Sequence, residues 1–152
     1  MELQIIKKQE ELPAFDREAI QIKYFMEQKR PFREFSEGDI PEHIIAELLE
    51  QLPYSADVIL SLNPYSEDDW MEVLCDGEWL ALGYSSNGGK DNYYSYNPDF
   101  EGSEEYCPLR SGGQTPIERY LALKDIRTGI KAVEYFIRAG KLYPGIEWAK
   151  QL

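Results

Sequence analysis

Side chains able to do acid–base, nucleophilic or metal chemistry are few in this sequence, and they are scattered. His43 is the single histidine. It is therefore the one side chain with an ordinary pKa near neutrality, but it lies beside the apolar stripe of its helix and reads as a surface residue. Cys75 and Cys107 are not in a metal-binding spacing. A reducing compartment leaves them as thiols, with a disulfide between them as the lesser alternative. The acidic pairs Asp68-Asp69 and Glu104-Glu105 offer oxygens to a hard cation, yet nothing beside them supplies the further ligands that calcium or magnesium requires. Residues 86–91 (SNGGKD) and 111–114 (SGGQ) carry glycines without the spacing of a phosphate-binding loop, and both read as turns. No nucleophile, base and orienting group fall into one pattern. The expectation is a non-catalytic protein with no metal and no cofactor.

Charge is the stronger signal. The net charge is −12, and its distribution is uneven. Residues 67–107 hold eleven acids and one base, Lys90, whereas residues 108–152 hold four acids and eight bases. An acidic middle third repels nucleic acid and steers a basic protein toward itself. The plainer alternative is a solvated surface that maintains solubility. No apolar run approaches the ~20 residues of a membrane-spanning helix. The start of the chain, MELQIIKKQEEL, lacks the features of a secretory leader, so no membrane partner and a cytoplasmic location are expected.

The elements that must carry these groups centre on residues 70–96. Asp76-Gly77 lies between two apolar runs and predicts a two-residue type I′ hairpin. Side-chain alternation then puts Met71, Val73, Leu80 and Leu82 on a core face and Trp70, Glu72, Leu74, Trp79 and Ala81 on the other. The second face carries two tryptophans that something must cover or use. Residues 85–91 form a second turn, and Asn92–Tyr96 returns as a tyrosine-rich strand.

Around this hairpin, Glu2–Lys7 alternates as an edge strand. Residues 16–28 read as a helix capped by Asp16, or as a strand from the period-two series Ile20, Ile22, Tyr24, Met26. Phe32 and Phe35 read as core anchors. A helix spans 40–51, capped by Asp39 with Pro41 in its first turn, and buries Ile44, Ile45, Leu48, Leu49 and Leu52 on one stripe. Asp57–Leu62 is a short apolar strand, residues 97–116 are irregular, and Ile117–Leu123 is a last strand. Asp125 caps a helix over 126–139, ended by Gly140 in left-handed geometry. Residues 142–148 (LYPGIEW) read as a tail.

The closing segment, Glu134 to Trp148, resembles the end of immunity protein family one of bacterial polymorphic toxin systems. That signature is a helix ending in Phe-x-x-x-Gly followed by Pro and Trp, here Phe136, Gly140, Pro144 and Trp148. The acidic hairpin 72–84, the tyrosines at 93–96 and Gly112-Gly113-Gln114 are similar to that family too, so the resemblance covers about residues 56–150 of a single domain spanning 1–152. It implies an α+β fold in a bacterial cytoplasmic protein that binds and neutralises a cognate toxin domain. Toxins beside this family are often nucleic-acid deaminases and sometimes nucleases, and they tend to be basic.

Read with that resemblance, the acidic pole becomes the expected toxin interface: Asp68, Asp69, Asp76, Glu78, Trp79, Asp91, Tyr93, Tyr94, Tyr96, Asp99, Glu101, Glu104 and Glu105. Carboxylates would pair with toxin arginines and lysines, and tyrosines would supply contact area. Trp148 reads as core, holding the last helix to the sheet. The expected architecture is an antiparallel sheet of about five or six strands with the helices at 40–51 and 126–139 on one face. A different class remains open, a small-ligand-binding or regulatory domain with an aromatic pocket near Trp79 and Tyr94.

Overall fold

The computed structural model describes every residue except 30, 37, 66 and 67; Glu67, at the start of the acidic stretch, is thus outside the described residues. In chain order the elements are β1 (Leu3–Ile6), β2 (Tyr24–Glu27), β3 (Arg33–Ser36), α1 (Glu42–Gln51), β4 (Ala56–Asn63), β5 (Asp68–Cys75), β6 (Leu80–Ser86), β7 (Asp91–Tyr96), β8 (Tyr106–Ser111), β9 (Thr115–Glu118), α2 (Ile126–Ala139) and β10 (Glu147–Gln151). Short 3-10 turns fall at Pro98–Phe100 and Arg119–Leu121. The fold is α+β, as expected. Among the described residues the main sheet has eight antiparallel strands in the order β1-β10-β7-β6-β5-β4-β2-β3, and β8 with β9 forms a separate ribbon. The sheet is larger than expected because β3 and β10, read otherwise, and β2, in a segment read as helix or strand, are part of it.

The central hairpin forms with its faces as expected but in a different register. Cys75 pairs with Leu80 and Val73 with Leu82, so the loop is four residues, 76–79. Asp76 closes it by accepting from the backbone N–H of Glu78 at 2.9 Å and of Trp79 at 2.8 Å. In that loop Gly77 takes positive φ, 92°, where a type I′ turn would need it at Asp76 as well. The slip is two residues, an even number, so each side chain keeps its face.

Met71, Val73, Leu80 and Leu82 lie in the main core with Ile44, Ile45, Leu48 and Leu52 from the α1 side, and with Val133, Phe136 and Ile137 from α2. Both helices therefore cover the same face. Asp125 caps α2 by accepting from the Thr128 N–H, and Gly140 ends it at φ 71°. α1 begins later than expected: Pro41, not Asp39, is its N-cap, with no side-chain cap bond. The first turn is tied instead by Glu42, whose carboxylate accepts from Arg138 of α2.

Five expectations are corrected. The helix over 16–28 does not form; Asp16 caps only a turn, and β2 pairs with β4 so that Phe25, fully buried, faces the core opposite Leu60. Phe35 packs on Phe25 at 6.0 Å, but Phe32 is exposed. The irregular stretch 97–116 contains β8 and the start of β9. Pro108 and Pro116 hid them, since proline in a strand is confined to edges and bulges; a two-stranded ribbon is all edge, and its register shifts between Cys107 and Arg110. The last strand is thus shorter than Ile117–Leu123, and only Leu123 bridges to Leu80 beyond it. The supposed tail is an interior strand, with β10 between β1 and β7.

Candidate interface on the helix-free face of the sheet

The second face of the sheet is only partly covered. Over β5 and β6, Leu74, Trp79 and Ala81 form a small core with Cys107, Leu109 and Ala122 from the β8–β9 layer. Over β7 and β10, Tyr96 and Ala149 do the same with Leu121. Toward β2 no described helix or strand lies on this face.

Strand pairing defines what is left open. Tyr24 is opposite Ser61, and Met26 is opposite Ile59; Ile59 is opposite Glu72, and Ser61 opposite Trp70. Glu72 is opposite Gly83, and Gly83 opposite Tyr94. Residues paired this way point to one side. The Tyr24 and Trp70 rings meet at 5.4 Å across fully buried Ser61. Tyr24, Met26, Ile59, Trp70, Glu72 and Tyr94 are all partly exposed. The result is a band of aromatic and apolar side chains with carboxylates at Glu34, opposite Met26, and at Asp57, opposite Leu74.

Glu72 joins the two layers. Its carboxylate accepts from Ser111 Oγ at 2.7 Å and from the Gly112 N–H at 3.0 Å, fixing the β8–β9 turn against the sheet. Gly112 has φ 60°, the left-handed geometry that aims this N–H. Beside the anchor, a slot of about 240 Å³ separates sheet from ribbon, lined by Leu74, Ala81, Gly83, Tyr94, Ile117 and Glu118 among others. It runs into a second depression of about 290 Å³ over Ile59, Trp70 and Asn92, the two sharing Glu72, Gly83, Tyr94 and Ser111. The Tyr94 hydroxyl donates to Gln151 Oε1 at 3.0 Å; burial raises its pKa, with a further rise from the Glu118 charge. Tyr24 is raised by burial and by its hydrogen bond to Glu34. Burial also raises Asp57, against the pull of Lys29. Aromatic area, carboxylates and a slot without lysine or arginine among its lining residues suit recognition of a cationic, partly apolar surface.

The expected interface residues do not form one surface. Asp68, Asp69 and Asp91 start β5 and β7 and lie at one end of the sheet. Asp76 and Glu78 are at the other end, where Asp99, Glu101, Glu104 and Glu105 follow Tyr96; the eight residues of β5 separate the two groups by about 25 Å at ~3.3 Å per residue. Asp76 caps its hairpin, Asp68 accepts from the Gly88 N–H and Asp69 from the Tyr84 hydroxyl. Trp79 is buried, with Lys124 Nζ 4.4 Å from its ring and Phe100 at 5.3 Å. Tyr96 is buried as well. Tyr93 and Tyr94 are neighbours in sequence and so face opposite sides, Tyr93 toward Tyr84 at 6.1 Å on the helix side. Asp99, Glu101, Glu104 and Glu105 are exposed; Glu105 pairs with Arg119. Trp79 lines neither of the two depressions that Tyr94 lines.

Tyr24, Met26, Ile59, Trp70, Glu72, Gly83 and Glu118 were not among the expected interface residues. The alternation that puts Trp70 and Glu72 on the second face signals two of them; the others depend on long-range pairing. Of the two tryptophans on that face, the fold buries Trp79 and leaves Trp70 partly exposed.

The closing motif has a structural place. Phe136 is fully buried, Gly140 terminates α2, and the Pro144 carbonyl accepts from the Gln9 N–H at 2.8 Å. Trp148 is buried in the main core, and its Nε1 donates to the Tyr143 carbonyl at 2.8 Å. Cys75 and Cys107 are free and buried in different cores. His43 is exposed. No group of three or more metal-ligating side chains converges among the described residues, and no described helix is long and apolar enough to cross a membrane. Compared with protein-family models, curated proteins and solved structures, the chain matches none.

Proposed function

We propose that this chain is a non-catalytic inhibitor of the immunity type, which binds a basic toxin domain across the helix-free face of its sheet and blocks that domain's active cleft. The observation that carries this reading is the partly exposed band of Tyr24, Met26, Ile59, Trp70 and Tyr94, bordered by carboxylates. Soluble proteins rarely leave a contiguous aromatic and apolar patch without use, and tyrosine and tryptophan dominate binding energy at interfaces. The net charge of −12 and the exposed acids at 99–105 supply long-range attraction for a basic partner. The resemblance of the closing segment to immunity family one supports the toxin-binding job.

A small-ligand site is the second reading, supported by the slot beside Tyr94. The slot of about 240 Å³ and the depression of about 290 Å³ that it runs into together fall within the ~300–1,000 Å³ of ordinary small-molecule sites.

The test is co-expression with the toxin domain encoded by a neighbouring gene. Growth rescue together with a purified one-to-one complex is expected. Rescue without any complex would mean that protection is not by binding.

A further inference from the structure

We propose that the slot between the sheet and the β8–β9 ribbon is a receptor for one arginine or lysine side chain of the protein partner. The inference rests on the binding reading above and adds the chemistry of the contact.

Gly83 carries the argument. It is in the middle of β6, where glycine loses conformational entropy and contributes no packing. Such a glycine is normally explained by positive φ or by a neighbour that leaves no room. Neither applies here: its φ is outside the left-handed range, and an added Cβ would meet only the Tyr94 ring at 3.8 Å, an ordinary contact. The fold itself would accept a Cβ at this position. What the missing side chain provides is the open floor of the slot.

The walls specify the occupant. Leu74, Ala81, Ile117 and the Tyr94 ring form an apolar channel, which suits the methylene stem of a long side chain. Glu72 and Glu118 line the same slot; no lysine or arginine side chain does, although Met1 is also among the lining residues. Glu72 is already held by Ser111 Oγ and the Gly112 N–H, so it is oriented before binding and retains unused lone pairs, while Glu118 presents a second carboxylate. Such a site complements a guanidinium or ammonium on an aliphatic stem, with the aromatic face of Tyr94 adding a favourable surface for the cation.

The test uses the full chain and two probes of matched shape, acetyl-arginine methylamide and acetyl-citrulline methylamide, followed by backbone amide shifts. Saturable shifts at Gly83, Ser111 and Ile117 are expected with the arginine probe and not with citrulline, which keeps the shape and lacks the charge. Gly83→Val is expected to abolish them while melting at or above the wild-type temperature, since valine is favoured in strands. Glu118→Gln is expected to weaken binding roughly tenfold or more; it leaves the Glu72 anchor in place and remains informative if the valine variant misfolds. Equal shifts with citrulline, saturation confined to residues 99–105, or unchanged binding by Gly83→Val would each overturn the slot. If the slot fails while the toxin complex still forms, only this inference is lost. If the arginine probe binds but no toxin complex forms, the slot stands and the immunity reading falls.

Discussion

Three glycines show how one residue type serves different ends. A glycine inside a helix ordinarily costs about 1 kcal/mol against alanine, so Gly129→Ala in α2 would be expected to stabilise. Here the added Cβ would be 2.7 Å from both δ-carbons of Leu80, a fully buried side chain. The overlap outweighs the propensity gain, and a net loss of about 1–3 kcal/mol is expected in denaturant unfolding. Gly140 is needed for its left-handed φ, whereas Gly83 matters under the slot proposal for the space it leaves. Trp148 is the other residue with a definite stability role. Trp148→Ala removes a buried ring and leaves the Tyr143 carbonyl without its donor, at an expected cost of ~3–5 kcal/mol. Unchanged thermal unfolding together with lost toxin binding would show that its role is recognition instead.

Among the elements, those with strong local signals were legible from sequence, and those decided by distant partners were not. The α2 boundaries follow from Asp125 and Gly140, and the two faces of β5 and β6 follow from alternation. By contrast, β10 is five residues with a single large apolar side chain, and it is interior only because β1 pairs along its outer side. The period-two series at Ile20–Met26 breaks near Lys23, so Ile22 and Phe25 both enter the core. The expected interface set was drawn from composition, which cannot see that neighbouring Tyr93 and Tyr94 diverge or that β5 holds its acids apart. The α1–α2 junction makes a further prediction. The Glu42 carboxyl is held below its ordinary value, chiefly by the hydrogen bond from Arg138. A depressed folded pKa contributes stability above the unfolded value of ~4.3 and loses it as pH falls through the folded value. Asp57 has the opposite sign: burial raises it, so its contribution is favourable below the unfolded value and is lost as pH rises through the folded one. Glu42→Gln is therefore expected to flatten the acid limb of stability below about pH 4. Asp57→Asn is expected to stabilise at neutral pH and change little near pH 3. Unfolding titrations across this range check both.

For the whole molecule, the question is whether charge or the open face holds the partner. Acids at 99–105 are exposed and outside the face, so they act at a distance, whereas Trp70 and Tyr94 are on the face itself. The decisive measurement is binding kinetics against the toxin domain at low and high salt, for the Asp99/Glu101/Glu104 triple alanine variant and for Trp70→Ala. The triple variant is expected to slow association at low salt, with the difference fading as the Debye length shortens below its ~10 Å at 0.1 M, and to leave dissociation unchanged. Trp70→Ala is expected to speed dissociation by more than about fivefold, over ~1 kcal/mol, at either salt concentration. Wild-type dissociation by Trp70→Ala in a folded variant would contradict the account and move the interface off the helix-free face.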